Sequence, residues 1–173
     1  EVAGGGTRIG VSTTTRDSNV NWSVATVDVS AFGALAARAA DAAGNTGTSS
    51  AVTYTLDDSA DDAGDTFAVS FATSDDVTNA SEASHVSLTL AGVDADAASV
   101  SVSIDDDGDI ATAAIVRSAT KVGDAWVVSD VDLTSLSDGT ITVTATVTDA
   151  AGNTATATDT LTLDTVANEV PSV

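Results

Sequence analysis

The chain has 173 residues, 43% of them apolar, and a formal net charge of −21. That charge repels nucleic acid and anionic lipid, and the absence of cysteine excludes disulfides and thiolate metal sites. No apolar run is long enough to span a membrane, and no signal peptide is visible. Because the chain has no methionine, it does not begin at its own translation start, so we expect a processed product or a piece of a longer protein.

The acidic residues are almost all of one kind. Of the 26, 23 are Asp, and only Glu1, Glu82 and Glu169 are Glu. Glu favours helices, whereas Asp favours turns and binds hard cations at the ends of loops. Composition alone leaves two interpretations: a solvated acidic surface, or a set of cation sites.

The first part of the chain, residues 1–56, reads as a shortened copy of the part C-terminal to it. The pairs that match lie about a hundred residues apart, which indicates a tandem array. We therefore predict that residues 1–56 are the C-terminal part of a truncated module, which keeps four strands and lacks three. The matching pairs are Trp22 with Trp126, 41–45 with 149–153 (both DAAGN), and 54–57 with 161–164.

Residues 33–41 carry the letters GALAARAAD, which propensity alone assigns to a helix. The repeat instead predicts a strand here. On that strand Leu35, Ala37 and Ala39 would face inward and Arg38 outward.

Residues 57–65 form an acidic linker, 66–164 a complete module, and 165–173 a linker to the next module. Alternating apolar and polar residues, interrupted by turn signals about every ten residues, predict an all-β antiparallel sandwich. The predicted strands are 66–71, 84–91, 98–104, 110–118, 125–129, 139–149 and 153–163.

The closing hairpin has the clearest pattern. On 139–149, Ile141 and Val147 share one face, and all five residues on the other face are Thr. That period of two is typical of a half-buried strand. Asp159 breaks the pattern, because it shares the inward face with Leu161, so we expect a bulge or an edge position there.

The two tryptophans and the single histidine are best explained structurally. Trp22 and Trp126 each begin a strand near a turn, which favours a core role over a ligand platform. His85 lies on the face opposite Val86, so we expect it to face solvent on a strand. The cluster DDDGD at 105–109 has glycine at the wrong offset for a calcium-binding EF-hand, which favours a tight turn, with cation binding as the other interpretation.

The acids fall at the two ends of the predicted sandwich. If successive loops alternate between poles, the upstream pole collects the linker acids, Asp94, Asp96, Asp124 and Asp149, and the downstream pole collects the acids of the other loops, among them Asp138 and Asp164. Carboxylates that converge repel one another unless a cation neutralises them, and calcium takes about six to eight oxygen ligands from irregular loops. The candidate ligands are Asp57, Asp58, Asp62, Asp94, Asp149, Asp138 and Asp164.

Several segments, in order, resemble the bacterial Ig-like repeats of giant surface adhesins, which include biofilm-associated proteins and repeats-in-toxin adhesins. They are DDVTNASEASHVSLTL at 75–90, the Trp126 strand, residues 131–165, and TVANEVP at 165–171. The resemblance covers 57–165 and the back half of the same module in 1–56. It implies an Ig-like sandwich, an extracellular location, stacking in arrays, and calcium at the linkers. By the same resemblance, Asp57, Asp149 and Asp164 match junctional ligand positions.

Two functions remain open. The first is a non-catalytic extender module of an extracellular adhesin or fibre at the bacterial cell surface, with joints stiffened by calcium and adjacent Ig-like modules as partners. The alternative is a self-assembling filament or sheath subunit, completed by β-strand addition from a neighbouring chain, because half a sandwich leaves unpaired edges.

Other classes of function are weaker. The six aromatic residues are scattered, which argues against a sugar-stacking platform. One histidine, no cysteine and no Ser-His-Asp grouping argue against an enzyme. We expect neither nucleic acid binding nor membrane insertion.

Overall fold

The computed structural model describes residues 2–4, 7–10, 33–61, 64, 66–106 and 111–167, with side chains from residue 33 onward. The chain divides into two compact units, Glu1–Asp57 and Asp58–Val173. Within the described ranges, no helix is both long enough and apolar enough to cross a membrane.

The first unit is built from short antiparallel strands around one longer central strand, β3. The order is β2-β1-β3-β4, and β5 pairs with another stretch of β3. The strands are β1 (Val2–Gly4), β2 (Thr7–Gly10), β3 (Ala34–Ala40), β4 (Thr46–Thr48) and β5 (Val52–Thr53).

Strand β3 occupies the segment whose composition favours a helix, so the strand predicted from the repeat is correct. The predicted inward face is wrong in part. Leu35 is half-buried, but Ala37 and Ala39 are exposed. Alternation along a strand decides which side chains share a face, but those side chains are buried only if another layer of secondary structure packs on that face. No side chain described between residues 33 and 57 is buried. Trp22 and the strands expected around it lie outside the described residues.

The second unit is a sandwich of two sheets, and the predicted all-β antiparallel architecture is confirmed. One sheet has the order β10-β9-β13-β14-β7 and the other β11-β12-β8-β6. All pairs are antiparallel except β14 with β7. The strands are β6 (Ala68–Phe71), β7 (Val77–Asn79), β8 (Val86–Ala91), β9 (Ala97–Asp106), β10 (Ile115–Ser118), β11 (Thr120–Val122), β12 (Ala125–Val131), β13 (Gly139–Asp149) and β14 (Thr154–Asp164).

The core lies between the two sheets and results from the alternation in the sequence. On β13, Ile141, Val143 and Val147 are fully buried, while the threonines between them are half-exposed. Removing one such aliphatic side chain from water stabilises the fold by about 1.5–3 kcal/mol. Trp126 is also buried, with the Lys121 ammonium 5.6 Å from its ring centroid, in agreement with the predicted core role.

Short elements differ from the sequence-based expectations. Strands β7 and β11 have three residues each and were not predicted. His85 is exposed as expected, but it ends a 3-10 turn, Ala83–His85, rather than lying on a strand. Asp105 and Asp106 belong to β9 and so are not part of the turn predicted at 105–109, and residues 107–110 lie outside the described part.

No bulge occurs at Asp159. The register of β14 on β13 is continuous, with Asp159 opposite Val143. The other edge of β14 pairs with β7 only over Thr162–Asp164 among the described residues, so Asp159 does lie at an edge position.

Candidate metal site

A repeated turn fixes the acid at the end of strand β13. Between β13 and β14, Asp149 Oδ1 accepts hydrogen bonds from the N–H groups of Gly152 (2.6 Å) and Asn153 (2.8 Å). Its Oδ2 accepts one from Asn153 Nδ2 (2.7 Å), and its N–H donates to the Asn153 carbonyl (3.1 Å). Gly152 has φ +96°, a backbone conformation that favours glycine. The letters DAAGN therefore specify a turn closed by its first and last side chains.

The same turn recurs in the first unit, as the repeat predicts. Asp41 Oδ1 accepts hydrogen bonds from the N–H groups of Ala43 (2.9 Å) and Asn45 (2.8 Å), and its Oδ2 accepts one from Asn45 Nδ2 (2.8 Å). The two aspartates differ in environment, because Asp41 is exposed whereas Asp149 is only 3% exposed.

The environment of Asp149 keeps its carboxylate ionised. Burial raises its pKa, but the hydrogen bonds from Asn153, Gly152 and Ala151 together outweigh burial, and the net pKa lies below the ordinary value. An ionised carboxylate offers about four lone-pair positions. Oδ1 accepts two of these hydrogen bonds and Oδ2 accepts the one from the Asn153 side chain, so the turn holds the carboxylate in a fixed orientation.

Strand register brings a second acid to Asp149. Ala97, the first residue of β9, lies opposite Asp149 at a register shift between Thr148 and Asp149. Asp96 immediately precedes that strand and is exposed. Asp57, which directly precedes the second unit, completes the group: one carboxylate oxygen from each of Asp57, Asp96 and Asp149 lies within 4.8 Å of the others.

The chemistry of this acidic cluster, defined as Asp57, Asp96 and Asp149, fits a hard divalent cation. Three negative charges this close repel one another, and all the donors are carboxylate oxygens, which suit calcium rather than the nitrogen and sulfur ligands of zinc. Calcium takes about six to eight oxygens, so backbone carbonyls or water would supply the remainder. The residues present thus match the ligand chemistry that the sequence predicts.

Of the predicted ligands, the acidic cluster contains only Asp57 and Asp149. Asp58 is exposed and Asp94 is half-buried, and the Asp94 carbonyl accepts a hydrogen bond from Ala97 N–H at 3.2 Å. Asp62 lies outside the described residues. Asp96 was assigned to the same pole by the alternation of loops but was not among the predicted ligands. Its adjacency to Asp149 depends on the register, which the sequence does not reveal.

Asp138 and Asp164 lie at the opposite pole, at the start of β13 and the end of β14. The Asp138 carboxylate accepts hydrogen bonds from Thr165 Oγ1 (2.7 Å) and Thr165 N–H (3.1 Å). Asp164 Oδ1 accepts one from Val166 N–H at 3.3 Å. Both acids thus hold the segment that leaves the module, and their role as metal ligands stays a prediction.

A further buried acid was missed by the sequence analysis, which assigned it to a turn. Asp106 is 3% exposed; its Oδ2 accepts a hydrogen bond from Ser137 N–H at 2.6 Å, and within the described part of the chain its Oδ1 has no hydrogen-bond partner. The Ser137 bond lowers the pKa of Asp106 below its ordinary value. Its position opposite Ile141 on β13 explains its burial, because inward and outward side chains alternate along the paired strands.

Comparison with known proteins places the second unit in a family. A model described as bacterial Ig-like domain matches residues 60–165. No match was found among curated proteins.

Several solved structures are also similar to this chain. A Ca²⁺-stabilised adhesin that helps an Antarctic bacterium to reach out and bind ice is 35% identical, with a TM-score of 0.54, over 89% of this chain and 38% of that one. A bacterial ice-binding adhesin of 1.5 MDa, studied for host cell surface retention, is 31% identical over 77% of this chain and 42% of that one, with a TM-score of 0.44. A tetra-tandem repeat from the extending region of a large adhesion protein is 25% identical over 94% and 40%, with a TM-score of 0.45. The chain therefore spans about two fifths of the length of these relatives.

Proposed function

The chain belongs to the bacterial Ig-like domain family, and from this premise we propose that it is a non-catalytic extender segment of an extracellular adhesin at the bacterial cell surface. In this role it acts as a spacer that holds a distal binding domain away from the cell, with further Ig-like modules as its neighbours. Calcium stiffens the joint at which the linker enters the second unit.

The acidic cluster carries this proposal. Asp57 belongs to the segment that enters the second unit, whereas Asp96 and Asp149 are fixed to that unit's framework by β9 and β13. A cation shared by the three carboxylates would tie the entering segment to the framework. A Ca²⁺-stabilised adhesin is among the proteins similar to this chain, which supports calcium as the cation.

Thermal unfolding of the whole chain, in calcium and in chelator, tests the joint. Binding to the folded state alone stabilises it by RT ln(1 + [L]/Kd), about 2.7 kcal/mol when calcium is at 100 times Kd. We expect a higher Tm with calcium and a lower one with chelator. The variant Asp96→Asn should lose most of that difference, because it removes one ligand charge at an exposed position.

Asp124→Asn is the matched control. It removes the same charge from an exposed position in the β11–β12 hairpin loop, remote in sequence from the cluster, and should leave the calcium response intact. If wild type melts at the same temperature in calcium and in chelator, the joint site is rejected. Equal responses of the two variants would place the cation elsewhere.

A distance measurement tests the spacer role separately from thermal stability. With one fluorophore in each unit, the distribution of distances between them should narrow when calcium is added to wild type, and narrow less in Asp96→Asn. A distribution that does not respond to calcium would contradict a stiffened joint, whatever the melting temperatures show.

One observation keeps the filament function as a second candidate. Val52 is 70% exposed and Leu56 48% exposed, and no described side chain of residues 33–57 is buried. Strands added from a neighbouring chain would cover such apolar side chains.

Sedimentation of the whole chain over a range of concentrations tests the filament function, because a filament subunit associates whereas an extender segment remains monomeric. Mass spectrometry of the mature polypeptide is the second test, since a mass near 16.9 kDa would contradict a segment of a longer chain.

A further inference from the structure

The strands by which the chain enters and leaves the second unit are bonded directly to each other. The chain enters through β6 and β7 and leaves through β14. The last three residues of β14, from Thr162 to Asp164, lie beside the three residues of β7, Val77–Asn79, and the two strands are parallel. The Thr162 N–H also donates a hydrogen bond to the carbonyl of Asp76 at 2.9 Å. The entering and leaving strands are therefore neighbours in one sheet.

Stretching the chain loads this parallel pair along the strand axis. Tension from the N-terminal side draws β7 backward past its first residue, Val77, and tension from the C-terminal side draws β14 forward past its last residue, Asp164. Because the two strands run in the same direction, the two pulls oppose each other along the strands. Hydrogen bonds between parallel strands are evenly spaced and run across the pair, so they share this load and must break together.

Two aspartates attach the same strands to the rest of the unit. Asp159 on β14 accepts a hydrogen bond from the Phe71 N–H on β6 at 2.9 Å, so tension from the N-terminal side reaches this bond before it reaches β7. Asp138, next to the start of β13, accepts hydrogen bonds from the N–H (3.1 Å) and Oγ1 (2.7 Å) of Thr165, which follows β14. Hydrogen bonds to a carboxylate are among the stronger ones in proteins. Side-chain bonds thus reinforce the path of the load at both ends.

Burial protects the centre of this arrangement from water. Thr78 on β7 and Leu163 on β14, which lie opposite each other, are 0% and 1% exposed, and Phe71 is 5% exposed. Hydrogen bonds shielded from water are electrostatically stronger than exposed ones, and no water is at hand to replace a bond as it stretches. The contacts that carry the load are therefore in the least accessible part of the two strands.

We propose that β6, β7 and β14 form a mechanical clamp that keeps the second unit folded under tension applied between its two ends. The clamp consists of the β7–β14 pair and the bonds of Asp159 with Phe71 and of Asp138 with Thr165. It adds resistance to force to the proposed spacer role, because a spacer that unfolds under tension would lengthen. All its bonds are within the protein, so it acts without calcium and does not depend on the calcium joint.

Constant-force stretching of the whole chain in chelator tests the clamp. The chain has no cysteine, so introduced cysteines give unique attachment points. Attachment at Asp58→Cys and Ala167→Cys, both exposed, applies force between the ends of the unit. Attachment at Ala80→Cys and Ala167→Cys applies it to the C-terminal ends of β7 and β14, which opens the pair from one end. At equal force, the unit should stay folded many-fold longer in the first geometry.

Two variants remove single bonds of the clamp. Asp159→Ala removes the acceptor of the Phe71 N–H, and Thr162→Pro removes the N–H that bonds to Asp76. Under end-to-end force each should shorten the folded lifetime about tenfold or more, because a bond that breaks on the way to unfolding sets the unfolding rate. Thr162 is an exposed residue near the end of its strand, which limits the damage that proline does elsewhere.

Gly123→Ala is the matched control. It strains a left-handed backbone position (φ +63°) in the β11–β12 hairpin, so it should lower stability to urea while β6, β7 and β14 stay intact. Its folded lifetime under end-to-end force should equal that of wild type, because the hairpin is still formed when the clamp breaks.

Two outcomes would overturn the clamp. Equal lifetimes in the two pulling geometries would show that the direction of loading is irrelevant. A lifetime shortened as much by Gly123→Ala as by Asp159→Ala would show that overall stability, and not the clamp, resists the force. Since the stretching is done in chelator, neither outcome bears on the calcium joint, which the thermal melts test separately.

Discussion

The Asp159 carboxylate on β14 accepts a hydrogen bond from the backbone N–H of Phe71 on β6, at 2.9 Å, and so joins the two sheets of the sandwich. Phe71 is buried, and Asp159 is half-buried where β14 has no strand on its outer side among the described residues. This bond explains an acid in a position that alternation reserves for apolar residues.

Asp159→Ala should lower the free energy of unfolding by about 1.5–3 kcal/mol, because it removes a charged acceptor and leaves the Phe71 N–H without one. Urea unfolding measures the loss. Asp159→Asn keeps an oxygen acceptor and should lose less, and Thr158→Ala, at an exposed neighbouring position, should change stability little. Equal stability of Asp159→Ala and wild type would show that the bond contributes nothing.

Where apolar and polar residues alternate over many positions, the sequence is sufficient to predict the strand. Strand β13 has the predicted bounds, 139–149, because eleven residues alternate without interruption. Strand β7 was not predicted, since its three residues carry no period and its place is set by parallel pairing with β14. Asp159 was recognised as an exception, but the donor that accounts for it lies 88 residues away in the chain.

The candidate site, too, was predictable from the sequence only in part. The alternation of loops between poles is enough to expect Asp57 and Asp149 at one end, and the structure brings their carboxylates together. The contribution of Asp96 depends on the irregular register that sets Ala97 opposite Asp149. A one-residue shift of that kind is decided by packing between strands and leaves no local signal in the sequence.

Two glycines have the same backbone conformation but different surroundings. Replacing each by Ala therefore separates the cost of a strained backbone from the cost of a steric clash. Gly92 has φ +62° and Gly123 has φ +63°. A Cβ at Gly92 would lie 2.2 Å from the Thr66 carbonyl oxygen, whereas one at Gly123 meets nothing within 4 Å. Gly123→Ala should therefore cost about 1–2 kcal/mol, the penalty for a left-handed backbone alone.

Gly92→Ala should cost about 1–3 kcal/mol more than Gly123→Ala, because backbone must move to admit the methyl group. Chemical denaturation of both variants measures the difference. Equal losses would mean that the segment at Thr66 moves freely, contrary to the close contact in the structure.

The inward and outward faces of β13 should respond differently to truncation. Ile141 is fully buried, and its replacement by Ala should cost about 2–5 kcal/mol through lost burial and the cavity that remains. Thr140 is exposed on the same strand, so Thr140→Ala should change stability by less than about 0.5 kcal/mol. A comparable loss in both would contradict the assignment of the two faces.

Stability of the second unit should fall in acid through Asp149. Its pKa in the folded chain lies below the ordinary value of 3.8: burial opposes this shift, and the hydrogen bonds from Asn153, Gly152 and Ala151 outweigh burial. A carboxyl with a depressed folded pKa contributes stability that is complete above its unfolded pKa and is lost as the pH falls through the folded value.

In chelator, Asp149→Asn should therefore melt below wild type at about pH 6, and the difference should shrink as the pH falls below 3.8. Asp124→Asn, exposed and outside the turn, serves as the control for charge alone. A difference between wild type and Asp149→Asn that stays constant from neutral pH into acid would show that the ionised carboxylate does not stabilise the turn.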